Sequence, residues 1–363
     1  MLGMSAAEDV QFLALLVHRG HLQRADAERL VPRLRQGEAL DALLVEVVGW
    51  DVRKVAKLRR TRGGEEPELP GYELLGRIGT GGTADVFRAR ETATGRLLAL
   101  KVLRHEMALK RAELEAFVRE AKTLTRLSHP GLVAGHGAAR AGETYFARLE
   151  LVDGQTLLEL LDAGQRFEEE GALRIVLEVA EVLAYLAAEG LVHRDVKPGN
   201  IMLSSSGRVK LIDLGFCVAV DTRDAADAAR GTVQYLSPEQ AEGGACADVR
   251  SDIYSLGVTL FQLLVGRLPF EGDCSEDTLR MHVMERLSSP ELKSRGLSPH
   301  AHYFIEKMMA KEVEHRYQCY DELIEDIRGQ IEGRASLDFR ADARPKQRGP
   351  ARGLGRGPGR PRR

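Results

Sequence analysis

One short stretch, His193-Arg194-Asp195-Val196-Lys197-Pro198-Gly199-Asn200, carries a carboxylate, an ammonium and an amide within a few residues, and Asp213-Leu214-Gly215 follows. Asp195 is a candidate base for a hydroxyl proton, and Lys197 is a candidate partner for phosphate charge. Asn200 and Asp213 offer the hard oxygen ligands that magnesium prefers. A loop aspartate is ordinarily a turn or cap residue, but that reading leaves the ordered set unexplained. The chemistry the set suits is phosphoryl transfer, which needs triphosphate charge held, metal ions placed and an acceptor oxygen in line.

The remaining parts of such a site stand upstream in the order the chemistry needs. Ile78-Gly79-Thr80-Gly81-Gly82-Thr83-Ala84-Asp85-Val86 joins two strand patterns, and glycines there let a backbone turn sharply and bring N–H groups near phosphate oxygens. Ala84 stands where a third glycine would complete the pattern, which an alanine tolerates if its φ is negative. Leu98-Ala99-Leu100-Lys101 is an apolar strand ending in a lysine. Such a lysine is either an ordinary surface residue or, paired with a carboxylate, a holder of phosphates. Glu120, on the helix that follows, is the proposed partner, with Glu113 and Glu115 as competitors.

These side chains need a scaffold, and the chain is long enough to supply one. Its 363 residues suit two or three domains. A composition of 44% hydrophobic and 29% charged residues is that of a folded globular chain, and a net charge of −2 excludes a globally basic nucleic-acid binder. Cys217, Cys246, Cys274 and Cys319 show no CxxC spacing, which predicts a reducing compartment and no metal cluster. No apolar run approaches the ~20 residues that span a bilayer, so the expected location is cytoplasmic with no membrane span.

Residues 1–62 read as about four short helices punctuated by Gly20, Gly37 and Gly49, with Ser5-Ala6-Ala7-Glu8 as a capping box. Their expected core is Phe12, Leu13, Leu16, Val17, Leu40, Leu43, Leu44, Val47, Val52, Val55 and Leu58. Residues 63–71 have linker composition. Strand periodicity follows over Tyr72–Ile78, Asp85–Arg90 and Leu97–Leu103, then a long helix from about Leu109 to Leu127, then two more strands. Helical patterns dominate from Thr156 to about Glu332, apart from the strand-rich Leu191–Cys217 region. Residues 340–363 hold nine Lys or Arg against one acid, Asp342, and are expected to be a disordered basic tail.

From about Tyr72 to Glu332 the chain resembles the eukaryotic-like (Hanks-type) serine/threonine protein kinases, and Gly231-Thr232-Val233-Gln234-Tyr235-Leu236-Ser237-Pro238-Glu239-Gln240 is similar to their bacterial members. The resemblance implies an α+β, two-lobed kinase fold: a β-rich N-lobe over 72–150, a helical C-lobe over 155–332, a small all-helical N-terminal domain and the tail. It implies transfer of the ATP γ-phosphoryl group to serine or threonine hydroxyls of proteins, with Mg2+ or Mn2+. Asp195, Lys197 and Lys101 would be catalytic. Ile78, Gly79, Thr80, Gly81, Gly82, Val86, Ala99, Lys101, Glu120, Glu150, Val152, Asn200 and Asp213 would bind nucleotide, with Asn200 and Asp213 on the metal. The backbone of Glu150-Leu151-Val152-Asp153-Gly154 would hold adenine, with Leu149 behind it. Thr232 would contact Asp195 and Lys197, Glu239 would pair with Arg316, and Asp252 would brace the catalytic loop.

Three rivals remain open: an ATP-binding pseudokinase scaffold, a small-molecule phosphotransferase and a DNA-tethered regulator. None of Lys101, Asp195 and Asp213 is lost, which argues against the first, and the 231–239 segment argues against the second. Two readings of the loop Asp221–Arg230 also stay open. Asp224 or Asp227 stands in for a phosphate and pairs with Arg194, or Thr222 is an ordinary phosphorylation site in a solvated acidic loop. The N-terminal helices suit a spacer or a site for a regulatory partner. Arg53, Lys54, Lys57, Arg59 and Arg60 on the last of them read as a solvated face. The tail supports no more than weak nucleic-acid contact.

Overall fold

The computed structural model describes residues 6–18, 20–61, 67–219, 232–243, 248–287 and 296–333. The proposed capping residue Ser5, residues 63–66 of the linker, the 221–230 loop with Thr222, Asp224 and Asp227, Gly231, Cys246 and the 340–363 tail lie outside the described residues.

Four helices come first: α1 (Ala6–His18), α2 (Arg24–Arg35), α3 (Leu40–Glu46) and α4 (Val52–Thr61). Each is too short to be stable alone, and together they bury Phe12, Leu13, Leu16, Leu22, Leu30, Leu34, Leu40, Leu43, Leu44, Val55 and Leu58 in a core of their own. Gly20 and Gly49 end the first and third helices at φ of 73° and 74°, a conformation that excludes most side chains. Two expectations differ. Val52, in the first turn of α4, is 68% exposed instead of buried. Arg59 leaves the solvated face and turns into the bundle, bonding Asp9 at 2.5 Å and Asp41 at 2.6 Å and stacking over Phe12. A guanidinium can cover an apolar ring while its rim meets carboxylates.

A five-stranded antiparallel sheet with one long helix forms the first lobe. Its elements are β1 (Tyr72–Thr80), β2 (Ala84–Glu91), β3 (Leu97–Leu103), α5 (His105–Ala108), α6 (Arg111–Arg126), β4 (Gly135–Ala141) and β5 (Thr144–Glu150), in sheet order β1-β2-β3-β5-β4. The long helix expected over about Leu109 to Leu127 is α6, and the extended backbone of Lys110 separates it from the short α5 before it. Strand periodicity of two decides where β3 aims its residues. Leu98, Leu100 and Val102 join Phe87 and Phe146 on one face, while Ala99 and Leu103 join the core beneath α6. Lys101 shares the parity of Ala99 and Leu103, so its stem points toward α6.

The second lobe is mainly helical. After β6 (Gly154–Thr156), α7 (Leu157–Asp162) and α8 (Glu169–Ala188) come β7 (Leu191–Val192), β8 (Ile201–Ser204), β9 (Val209–Leu211) and β10 (Val218–Ala219). Then follow α9 (Pro238–Ala241), α10 (Val249–Val265), α11 (Ser275–Met284), α12 (Pro299–Met308) and α13 (Tyr320–Ile331). The centre is α10, buried continuously from Ser251 to Leu264. A helix apolar all round belongs inside a lobe, and this one gives its few polar residues to structural contacts. The two-lobed α+β arrangement with a small helical region before it is the fold expected from the sequence. Among the described residues no helix is long and apolar enough to cross a membrane.

Candidate active site

The site is assembled where the two lobes meet. On α6, Phe117, Glu120, Ala121 and Leu124 are buried at helical spacing, so Glu120 faces the sheet with the core residues. Lys101 Nζ donates to Glu120 Oε1 at 2.7 Å and Oε2 at 2.9 Å, and to Asp213 Oδ1 at 3.2 Å. Of the competitors, Glu115 is exposed and bonds Arg111 on the helix surface; the Lys101 pair selects Glu120.

One ammonium between two carboxylates sets their protonation. Burial alone would lower the Lys101 pKa, but the charges of Asp213 and Glu120 outweigh it and hold it well above the usual lysine value. Burial also works against the charged form of Asp213, yet Lys101, Glu120 and the Gly215 N–H hold that carboxyl well below its usual range. Glu120 moves the other way, raised by burial and by sharing the ammonium with Asp213.

The loop after β7 holds Asp195 from several directions. Its Oδ2 accepts from Lys197 Nζ at 2.6 Å and from Asn200 Nδ2 at 2.8 Å, and its Oδ1 accepts from the Thr232 N–H at 3.2 Å. Lys197 Nζ also reaches the Thr232 hydroxyl. Behind it, Asp252 accepts the N–H groups of His193 and Arg194 at 2.8 and 2.7 Å and the Tyr320 hydroxyl at 3.0 Å. This brace has a local purpose. Arg194 sits at φ 66°, the one non-glycine residue with positive φ among those described, a conformation costing on the order of 1–3 kcal/mol. Two charge-assisted backbone bonds offset that cost. Burial raises the Asp252 pKa above its usual value, although the three donors oppose the shift.

The β8–β9 hairpin brings the two candidate metal ligands side by side. Ile201 pairs with Leu211, and the Ile212 N–H donates to the Asn200 carbonyl at 3.0 Å. Asn200 Nδ2 donates both its hydrogens to Asp195, to the carbonyl and to Oδ2, each at 2.8 Å. Its Oδ1 is thereby the amide atom available to a cation. No cluster of three His, Cys, Asp or Glu ligands occurs among the described residues. A cation here would rest on Asn200 and Asp213 with phosphate and water oxygens completing the shell, which is the coordination magnesium accepts. Three carboxylates (Glu120, Asp195, Asp213) against two ammonium groups (Lys101, Lys197) also suit an added positive charge.

The glycine-rich segment forms the turn between β1 and β2, closed by Gly81 N–H to Ala84 carbonyl at 2.9 Å, with Gly79 opposite Val86 and Thr80 opposite Asp85. Ala84 lies outside the positive-φ region and is buried, so the missing third glycine costs the turn nothing. Ile78 is 49% exposed on β1, while Val86 is paired with Lys101 and Ala99 with Leu149. Glu150 pairs with Leu98 and ends β5, and Val152 follows in the crossing between lobes. Gly154 closes that crossing; a Cβ there would stand 2.3 Å from the Leu203 carbonyl oxygen.

Two further arrangements support the site. Arg316 forms a two-pronged pair with Glu239, at 2.9 and 2.8 Å, under the 232–240 segment. Cys217, just past Asp213-Leu214-Gly215, has its thiol pushed up to about 12 by burial and by the Asp252 charge, so it stays a neutral packing group. Tyr320, which helps fix Asp252 from α13, carries no sign of that role in the sequence.

A family model described as the protein kinase domain matches residues 72–326. The chain is 38% identical over 282 residues to a probable serine/threonine-protein kinase, SCO3848, of Streptomyces coelicolor, covering 74% of this chain and 41% of that protein. It is 37% identical to the serine/threonine-protein kinase PknB of Mycobacterium leprae (70% of this chain, 42% of that one) and 34% identical to PrkC of Bacillus subtilis (71% and 40%). The chain therefore spans about two fifths of the length of these curated relatives.

Proposed function

The chain belongs to the protein kinase family, and from that premise we propose that it transfers the γ-phosphoryl group of ATP to serine or threonine hydroxyls of protein substrates. What carries the reading is one continuous run of contacts. It passes from Glu120 through Lys101 to Asp213, across the Ile212–Asn200 backbone bond to Asp195, and on to Lys197 and Thr232. The side chains assigned here to the transfer step and to the metal all lie along that run.

Asp195 orients the acceptor hydroxyl and takes its proton as the oxygen–phosphorus bond forms and the bond to the departing diphosphate breaks. Lys197 neutralises charge on the phosphoryl group in flight, and Lys101, held by Glu120, positions the triphosphate. Magnesium, held by Asn200 and Asp213, would supply charge neutralisation between the phosphates. The backbone of Glu150 and Val152 would hold adenine, with Ile78, Val86 and Ala99 as its apolar walls and Gly79, Thr80, Gly81 and Gly82 over the phosphates.

We divide the chain into a helical module (1–62), a linker (63–71), the catalytic domain (72–332) and a tail (340–363). The module contributes no residue to the run of contacts and has its own core, which suits a place for a regulatory partner. Unbridged Cys217, Cys274 and Cys319 suit a reducing compartment. The test is incubation with labelled ATP and a generic protein substrate, with and without EDTA, followed by phosphoamino-acid analysis. Magnesium-dependent phosphoserine or phosphothreonine is expected. Label on tyrosine, or label indifferent to chelation, would overturn the assignment.

A further inference from the structure

Lys210 stands on β9 between Val209 and Leu211, both buried, so strand alternation turns its side chain the other way. Its Nζ donates to Glu150 Oε2 at 2.8 Å and to the Leu132 carbonyl at 3.3 Å. The same Glu150 oxygen accepts the Ala134 N–H at 3.0 Å, while the Glu150 N–H donates to the Ala134 carbonyl at 2.8 Å. Three segments meet at this point. They are the end of β5 where the chain crosses between lobes, the 132–134 connection leading into β4, and the strand that delivers Asp213 three residues later. The pair is largely withdrawn from solvent, with side-chain exposures of 13% for Lys210 and 32% for Glu150.

We infer that Lys210 is a positioning residue: with Glu150 it forms an interlobe latch that fixes the adenine-holding crossing relative to Asp213. The inference rests on the kinase reading above and adds to it a residue that touches neither nucleotide nor acceptor. Backbone bonds already tie the 131–133 connection to β9, Val133 N–H to the Leu211 carbonyl at 2.9 Å and Leu211 N–H to the Gly131 carbonyl at 2.8 Å. None of those reaches β5. Among the described residues Lys210 supplies the one side-chain bond from β9 to Glu150, so without it the Glu150 carboxylate is left with the Ala134 N–H and the start of the crossing is held to the second lobe by backbone bonds alone.

An exposed ion pair of ordinary kind would contribute almost nothing. A latch predicts a different pattern. In Lys210→Met, which keeps the apolar stem, the dissociation constant for magnesium-ADP measured by calorimetry on the full chain should rise roughly fivefold, the factor equivalent to about 1 kcal/mol. The KM for ATP should rise in step while kcat stays within twofold. Lys210→Arg should restore both, because a guanidinium reaches the same two acceptors. Glu150→Gln should weaken magnesium-ADP binding by the same factor, and the double variant should weaken it no further. Nucleotide affinity unchanged in Lys210→Met overturns the latch, whether or not the melting temperature falls. So does a rise in kcat, which would make the pair a restraint on closure. A wild type that binds no nucleotide at all refutes the kinase reading itself and the latch with it, so the two failures are told apart.

Discussion

Glu239→Ala should lower stability by about 3–5 kcal/mol, and the reason lies in the donor count of its partner. Arg316 has five N–H donors, its side chain is 0% exposed, and all five are engaged. Nε donates to the Ala310 carbonyl, Nη1 to Glu239 Oε1 and the Arg250 carbonyl, and Nη2 to Glu239 Oε2 and the Lys311 carbonyl. Removing Glu239 leaves three carbonyl bonds but takes away the counter-charge and two acceptors, and losing one partner of a buried pair costs about 3–5 kcal/mol. Ser251→Ala is the control: it deletes only the 2.6 Å hydroxyl bond to Glu239 and should cost about 1 kcal/mol. At about 2–4 °C per kcal/mol for a domain of this size, the melting temperature of Glu239→Ala should fall by roughly 10 °C. The pH dependence fixes the sign. Burial would raise the Glu239 pKa, but the Arg316 and Ser251 hydrogen bonds and the Arg316 charge hold it below its usual value. Its contribution is therefore complete above the unfolded-state pKa and is lost as pH falls through the lower folded value. The gap between wild type and Glu239→Ala should be constant from pH 6 to 8, on the order of the full cost, and should narrow in acid. A fall of less than about 2 °C at pH 7, or a gap that widens in acid, would mean that Glu239 is not the counter-charge that holds Arg316 in place.

Other expectations follow from the same contacts. Burial pushes His282 down to about 4; its ring bonds the Tyr254 hydroxyl at 2.9 Å and the Gln234 carbonyl at 3.0 Å and packs edge-on to Phe270, with Lys311 bonded to its carbonyl. The unfolded chain binds this proton first, so stability should fall between about pH 6.5 and 4, by about 2 kcal/mol at pH 5. Urea unfolding of His282→Gln should show a shallower slope over that range, and an unchanged slope would mean that His282 does not govern the loss of stability in acid. Alkylation at pH 8 should modify exposed Cys274 and Cys319 while sparing Cys217, as read by peptide mass; rapid labelling of Cys217 would mean the loop after Asp213 opens. Lys101→Met should lower kcat/KM by on the order of 10^3, because Glu120 and Asp213 lose their shared ammonium; steady-state rates that stay within tenfold of wild type would deny Lys101 its role.

What the sequence disclosed depended on how local the information was. The Asp195, Lys197 and Asn200 set was legible because its spacing lies within one loop, and the order of β1, β2, β3 and α6 was legible from a change of periodicity. Glu120 was harder, because carboxylates also stand at 113 and 115. The signal that separates it is its place among Phe117, Ala121 and Leu124, core residues on both sides along one helix face. The Tyr320 bond to Asp252 and the Lys210–Glu150 pair join residues 60 or more positions apart, and no periodicity in either partner's segment encodes them; the Glu239–Arg316 pair, 77 positions apart, was expected only through the family resemblance. Arg59 misled for a related reason. A basic stripe on a helix looks solvated until Asp9 and Asp41, both distant in sequence, arrive beside it.

The role proposed for Asp195 is that of the base in a phosphoryl transfer from ATP. Its most direct test is magnesium-dependent incorporation of labelled phosphate by wild type and Asp195→Asn, with nucleotide affinity measured on both. Asparagine keeps the shape and one acceptor oxygen but cannot take the proton, so incorporation should fall on the order of 10^2–10^4 while magnesium-ATP affinity stays near wild type. Equal incorporation by the two proteins, or none by a wild type that binds nucleotide normally, would contradict it.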